Sequence, residues 1–160
     1  MAVAFIGLGS NLGNREANLN AALDQISRLP KTKVICRSSW IETDPVGVPP
    51  QDKFLNGVAK IEAHWKEFDF YSEAEKMLGH LQKIEEQLGR PLDHSSLEPR
   101  VIDLDLLDYG GIGMKTARLE LPHPRMHERR FVLEPLAEIE PEWFHPVLAE
   151  TAEMLLKKLK

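Results

Sequence analysis

The sequence predicts an α+β fold, an antiparallel sheet with helices packed on it. Two observations predict this. Short apolar or β-branched runs and helical repeats follow one another in the order β-α-β-β-α-β. Beyond the fourth strand the chain turns Pro-rich and resumes helical spacing, a C-terminal helical extension. That order is the ferredoxin-like βαββαβ sandwich.

Each element has its own signal. Residues 2–8 alternate small and large apolar side chains and end among glycines, a buried strand. Leu19, Ala22, Leu23, Ile26 and Leu29 recur at helical spacing until Pro30 stops them. Residues 34–41 are β-branched and partly alternating, a second strand. Residues 43–53, rich in Pro, Gly and Asp, form a loop. Residues 54–63 form the third strand, with Leu55, Gly57, Ala59 and Ile61 facing one way and Phe54 and Asn56 the other. Phe70, Ala74, Met77, Leu78, Leu81, Ile84 and Leu88 keep a 3.6-residue period, and Gly89 ends that helix. Residues 90–99 form a polar loop, 101–109 the fourth strand and 121–124 the end of a short edge strand. Residues 131–137 and 147–159 read as helices. Two helices would cover one face of the sheet. The other face is left for a site unless the C-terminal segment covers it.

Composition narrows the classes. A chain of 160 residues fits one domain spanning 1–160, large enough to fold without a disulfide or structural metal. Cys36 is the only cysteine, which excludes an intramolecular disulfide and points to a reducing compartment. The first residues carry neither a basic segment with a long apolar run nor a membrane-length stretch, so the chain is expected to be cytoplasmic. A net charge of −5 opposes general nucleic-acid binding, but not a local arginine cluster for one phosphorylated small molecule.

The chemistry concentrates in the second half. Asp103 and Asp105 alternate on a strand, so their carboxylates point to one face, about 6.5–7 Å apart along the backbone. Two readings fit: a magnesium site completed by substrate phosphates, or two solvated aspartates on an exposed face. Arg90, Arg100, Arg118, Arg125, Arg129 and Arg130, with His123 and His127, lie in or beside the same half. Carboxylates with arginines and histidine are the composition of a magnesium–triphosphate site. The alternative is a set of surface arginines. Gly7, Gly9 and Gly13 do not keep the G-x-G-x-x-G spacing, and no G-K-[ST] occurs. Residues 9–13 read as a structural turn, with Ser10 or Asn11 satisfying backbone amides. Phe54 and Asn56 on one face suit a flat heterocycle, by stacking and edge pairing; packing of Phe54 under the preceding loop, residues 43–53, is the other reading. Cys36 reads as a buried small hydrophobe, and Trp40, Trp65 and Trp143 as packing residues. His64, His80, His94 and His145 lack metal-ligand spacing, and Glu67, Glu73 and Glu75 read as a solvated face.

Four segments together resemble the 6-hydroxymethyl-7,8-dihydropterin pyrophosphokinases. They are Gly9-Ser10-Asn11-Leu12-Gly13; Glu42-Thr43-Asp44-Pro45-Val46-Gly47 with Phe54-Leu55-Asn56; Pro99-Arg100-Val101-Ile102-Asp103-Leu104-Asp105; and Leu121-Pro122-His123-Pro124-Arg125-Met126-His127-Glu128-Arg129-Arg130-Phe131. The resemblance implies pyrophosphate transfer from ATP to a hydroxymethyl pterin, giving AMP and the pterin diphosphate, in folate biosynthesis. It implies that Asp103 and Asp105 hold two Mg²⁺ ions and that Arg100 acts with them in catalysis. Thr43, Pro45, Val46, Phe54, Asn56 and Phe131 would bind the pterin. Gln82, Arg90, Arg100, Arg118, His123 and Arg129 would bind ATP, with Glu85 in a neighbouring nucleotide or structural contact. The implied partners are these small molecules, with no nucleic acid and no membrane, and the chain is expected to act as a monomer.

One stretch departs from the family pattern R-x-R followed by W-G-P-R. Here Leu92 stands for the second arginine, and Leu97-Glu98 for Trp-Gly. In the family this loop closes over the nucleotide, so a catalytically weak pterin- or nucleotide-binding protein is the alternative function. An RNA-binding ferredoxin-like module would need paired aromatics on central strands and a basic face, which the net charge opposes.

Overall fold

The computed structural model describes residues 1–45, 51–89 and 101–159. Its elements are β1 (Ala2–Ser10), α1 (Arg15–Ser27), β2 (Thr32–Arg37), β3 (Ile41–Thr43), β4 (Phe54–Ala63), α2 (Phe70–Gln87) and β5 (Asp103–Tyr109). There follow β6 (Met114–Lys115), β7 (Glu120–Leu121), a 3₁₀ turn at Met126–Glu128, α3 (Arg130–Ile139) and α4 (Ala152–Lys158). The main sheet runs β2-β4-β1-β5 with β3 added to β4, and every pairing is antiparallel. This is the expected ferredoxin-like order, with β1 central.

The first three strands were read with one error. Residues 34–41 are not one strand but the end of β2, a break and the start of β3. At the break, Ser38 N donates to Val58 O, while Val58 N donates to the Ser38 hydroxyl oxygen, both at 2.9 Å. A side-chain oxygen there replaces a ladder carbonyl, and the strand is interrupted. Trp40 then lies over Gly57, where any Cβ would come within 2.4 Å of the ring. A register shift between Val34 and Cys36 leaves Cys36 exposed rather than buried.

One face of the sheet is sealed by α1 and α2. Ala4, Ile6 and Leu8 of β1, Ala59 and Ile61 of β4, and Leu104 and Leu106 of β5 pack with Leu19 and Ile26 of α1 and Met77 and Leu81 of α2. The period of α2 is the one the sequence carries. Asp69 caps its start by accepting from Ser72 N at 2.8 Å, and Gly89 beyond its end takes φ 111°. Two acidic side chains on α2 are buried rather than solvated. Glu73 is 3% exposed and accepts from the Tyr109 hydroxyl at 2.6 Å. Glu85 is 7% exposed and accepts from Leu104 N at 2.8 Å, a structural contact.

Among the described residues, the second face is covered at one end only. Phe5, Val58 and Leu107 pack with Met126, Val132, Leu133, Leu136, Trp143 and Leu155, so α3 and α4 lie over the end where β1 begins. A bulge makes this possible. Phe5 pairs with Asp108 and Ile6 with Leu106, which leaves Leu107 as the extra residue of β5. Leu106 and Leu107 then serve opposite cores. The last helix starts later than its apolar spacing implies. His145 Nδ1 accepts from Val147 N and Leu148 N, Ala149 takes φ 56°, and Thr151 caps α4 by accepting from Met154 N at 3.2 Å. The edge strand expected before Pro124 is β7, a two-residue partner of β6. Among the described residues no helix is long and apolar enough to cross a membrane.

Candidate active site on the uncovered half of the sheet

Beyond Phe5, the alternation of β1 places Gly7 and Gly9 on the half-covered face. Gly9 pairs with Asn56 of β4 on one side and Asp103 of β5 on the other. Gly7 pairs with Val58 and Asp105. Paired residues of antiparallel strands share a face, so Asn56, Gly9 and Asp103 form one row, and Asp105 stands in the next. The glycines leave bare backbone between the carboxamide and the carboxylates. Gly7 is the strand residue expected; Gly9 also lies in β1, not in the turn read from the sequence. Asn14 supplies the cap of α1, its Oδ1 accepting from Ala17 N at 3.1 Å, while Ser10 accepts from Asn18 Nδ2 at 3.3 Å.

The β4 side gathers most of the residues expected around a heterocycle. Thr43 pairs with Phe54 in the β3–β4 ladder, and Asn56 Nδ2 donates to Thr43 Oγ1 at 2.5 Å. Phe54 and Pro45 are half-buried. Val46 lies outside the described residues. The chain leading into β4 is tied to the start of α1. Asn11 Nδ2 donates to Gln51 Oε1 at 2.6 Å and to Asp52 O at 3.1 Å. Arg15 Nη1 donates to Lys53 O and to Glu42 Oε1, each at 3.0 Å. Arg15 thus reaches the residue before Thr43 and the residue before Phe54 at once.

On the β5 side, Asp103 and Asp105 are half-buried on their shared face, while Ile102, Leu104 and Leu106 point into the first core as expected. His123 is placed by its backbone, whose N donates to Leu107 O at 2.9 Å. Burial, then the neighbouring Arg129, push the His123 ring down to about 4, against the opposite pull of Asp103. The ring is therefore neutral at neutral pH. Its Nδ1 accepts from Arg125 N at 3.4 Å, which assigns the proton to Nε2. The Arg129 guanidinium lies 5.5 Å from the centre of the Phe131 ring. Both residues open α3, the helix that packs on β4. His123, Arg129 and Phe131 thus border the uncovered strip.

Two expected nucleotide residues stand apart from that strip. Gln82 is exposed on α2, and Arg118 is exposed beyond β6, paired with Glu75 of α2 at 3.4 Å. Arg90, Arg100 and the divergent stretch that carries Leu92 and Leu97 lie outside the described residues. Sequence reasoning missed Gly7, Gly9, Asn11 and Arg15 as builders of the site. The i, i+2 spacing of Gly7 and Gly9 in an alternating strand was the signal that could have found the glycines.

The donor set suits magnesium. Two hard carboxylates share a face, and no side chain stands opposite them on β1, which leaves room for phosphate oxygens.

A model of the family "7,8-dihydro-6-hydroxymethylpterin-pyrophosphokinase (HPPK)" matches residues 5–141. Among curated relatives, the 2-amino-4-hydroxy-6-hydroxymethyldihydropteridine pyrophosphokinase of Bacillus subtilis is 41% identical over 137 residues, 86% of this chain and 77% of the relative. That of Haemophilus influenzae is 40% identical over 139 residues, 87% and 82% of the two chains. A solved structure, Plasmodium falciparum HPPK-DHPS with pteroate, superposes with a TM-score of 0.76 at 14% identity. It covers 98% of this chain but 44% of the larger one, and it supports the fold alone. With the family model matching most of its length, the chain belongs to the 7,8-dihydro-6-hydroxymethylpterin pyrophosphokinase family.

Proposed function

We propose that the uncovered strip between β4 and β5 is where pyrophosphate passes from ATP to 6-hydroxymethyl-7,8-dihydropterin, giving AMP and the pterin diphosphate for folate biosynthesis. The row Asn56–Gly9–Asp103 carries this reading. Two strand spacings separate its ends by about 9–10 Å. That is the span from the edge of a bicyclic ring to the phosphorus that its one-carbon arm attacks.

The residues divide the work. Asn56, oriented by Thr43, reads the ring edge, and Phe54 and Phe131 offer aromatic faces to the ring. Pro45 lies beside them, and the resemblance assigns Val46 to the same pocket. Asp103 and Asp105 would hold magnesium, two ions in the family pattern, which supplies charge neutralisation to the triphosphate. Arg129, Arg100 and Arg90 donate to phosphate oxygens, and neutral His123 donates through Nε2–H. Gln82 and Arg118, on the α2 side, fit the far end of the nucleotide. In the step itself the hydroxymethyl oxygen bonds to the β-phosphorus. The bond from that phosphorus to the oxygen bridging the α-phosphate breaks, AMP leaves, and the hydroxyl proton passes to water. Positioning and charge neutralisation supply most of the acceleration, so no strong base is required.

We read residues 1–160 as one domain, supported by one main sheet with a core on each face, and take it to act as a monomer. A cytoplasmic setting rests on the lone cysteine. The test is AMP release from ATP, magnesium and the pterin, followed by chromatography. Stoichiometric AMP and pterin diphosphate support the reading. Tight binding of both ligands without AMP would instead favour the weakly catalytic binding protein.

A further inference from the structure

We propose that Gly9 is a specificity-determining residue of the pterin subsite: its missing side chain leaves the space in which the Asn56 carboxamide lies. The inference rests on the proposed roles of Asn56 and Phe54.

The reason for glycine at this position is steric, not conformational. Gly9 is extended in the middle strand, paired on both sides, and is not among the glycines with positive φ. The backbone would accept any residue. A Cβ at position 9, however, would sit 2.7 Å from Asn56 Oδ1 and 3.6 Å from Phe54 Cδ1. The first distance is inside the contact limit and the second is ordinary packing. Gly7, two residues earlier on the same face, offers a contrast. A Cβ there would meet nothing closer than 3.6 Å, on Leu107. The requirement is therefore local to Asn56.

Asn56 has one way to yield. Asn56 as a whole is 7% exposed, and its Nδ2 is fixed on Thr43 Oγ1 at 2.5 Å. A methyl group at position 9 would turn the carboxamide away from Thr43 and from the strip it faces. The fold loses little, because the displaced atom is the end of a side chain. Recognition loses its oriented donor and acceptor. Position 9 thus sets how the ring edge is read, through Asn56, while the nucleotide residues beyond β5 stay in place.

The experiment compares Gly9→Ala, Asn56→Ala and the double variant with the wild-type chain. 6-Hydroxymethylpterin is titrated calorimetrically in the presence of magnesium and a non-hydrolysable ATP analogue. The analogue is titrated separately, and each variant is melted. Gly9→Ala weakens pterin binding by about tenfold or more, the loss of one oriented hydrogen-bonding group, and shifts analogue binding by less than about twofold. The double variant binds the pterin no more weakly than Asn56→Ala alone, because the clashing atom is gone. Wild-type pterin affinity in Gly9→Ala overturns the inference. So does an equal loss for both ligands, or a full further loss in the double variant. A wild-type chain that binds no pterin overturns the proposed function, a separate failure.

Discussion

The two faces of the sheet are built from the same strands but filled differently. Under α1 and α2 the alternating positions of β1 are Ala4, Ile6 and Leu8, all buried. On the opposite face the positions are Val3, Phe5, Gly7 and Gly9, and apolar filling stops after Phe5. One face spends its whole area on packing. The other is packed at one end by α3 and α4, and carries glycine, carboxamide and carboxylate at the other. The contrast teaches that the site is made by withholding side chains as much as by supplying them. A helix over the whole second face would leave no strip. A chain without α3 and α4 would leave Phe5, Val58 and Leu107 bare.

Truncations in the two cores test whether both are structural. Leu81→Ala under the first face and Leu133→Ala under the second should each cost about 2–5 kcal/mol in denaturant unfolding, since both side chains are fully buried. A loss confined to Leu81→Ala would make the second core a loose cover rather than part of the fold. A smaller effect belongs to the uncovered half. Phe54→Ala should weaken pterin binding by about 1–3 kcal/mol through lost stacking area. Analogue affinity should hardly change, and an equal loss for both ligands would instead give Phe54 a structural role.

The boundary between covered and uncovered halves has a pH signature. Asp108 is buried and accepts from Trp143 Nε1 at 3.0 Å. Burial raises its carboxyl above 3.8, and the bonds from Trp143 and from the Gly111 and Tyr109 backbones only partly oppose this. Between 3.8 and the raised value the folded chain holds more protons than the unfolded one. The contribution of Asp108 to stability therefore falls as pH rises through that window, and its charge is a net cost at neutral pH. Asp108→Asn keeps an acceptor for Trp143. It should melt above the wild-type chain at neutral pH, with the gap closing in acid. A gap that widens in acid would contradict this sign.

The smallest effect concerns the chain leading into β4. Arg15→Ala removes one bond to Lys53 O and a solvent-exposed pair with Glu42. The exposed pair contributes about 0–1 kcal/mol, so the total loss in pterin affinity should stay near ~1 kcal/mol. Arg15→Lys should recover part of it. Unchanged pterin affinity would show that the Arg15 contacts do not position that segment.

Local periodicity made much of this legible. The repeat of α2 and the alternation of Asp103 and Asp105 against Ile102, Leu104 and Leu106 depend only on neighbours along the chain, and both were readable. What the sequence concealed depends on partners far along the chain. The Ser38 hydroxyl breaks a strand because it meets Val58, and Leu107 is buried because β5 bulges opposite Phe5. Glu73 looks like a solvated acid until the Tyr109 hydroxyl supplies its donor, and the Leu104 amide that Glu85 accepts from lies 19 residues away along the chain. Gly9 suggested a turn because glycines cluster around it, although its i, i+2 spacing from Gly7 already fitted one face of a strand. Phe54, Asn56, His123 and Arg129 stood out by residue type and position, Thr43 and Phe131 through motif resemblance, and all six lie along one strip.

Adjacent residues of β5 offer the most direct measurement, because Asp105 faces the uncovered strip and Leu106 faces the sealed core. Asp105→Asn and Leu106→Ala are compared for single-turnover AMP formation and for thermal melting. The account predicts that Asp105→Asn loses at least about a hundredfold in rate, a barrier increase near 2.7 kcal/mol, with melting almost unchanged. It predicts that Leu106→Ala loses about 2–5 kcal/mol of stability while its folded fraction turns over within about threefold of the wild-type rate. An Asp105→Asn chain that keeps more than about a tenth of the wild-type rate, or one that loses activity only by melting, would contradict it.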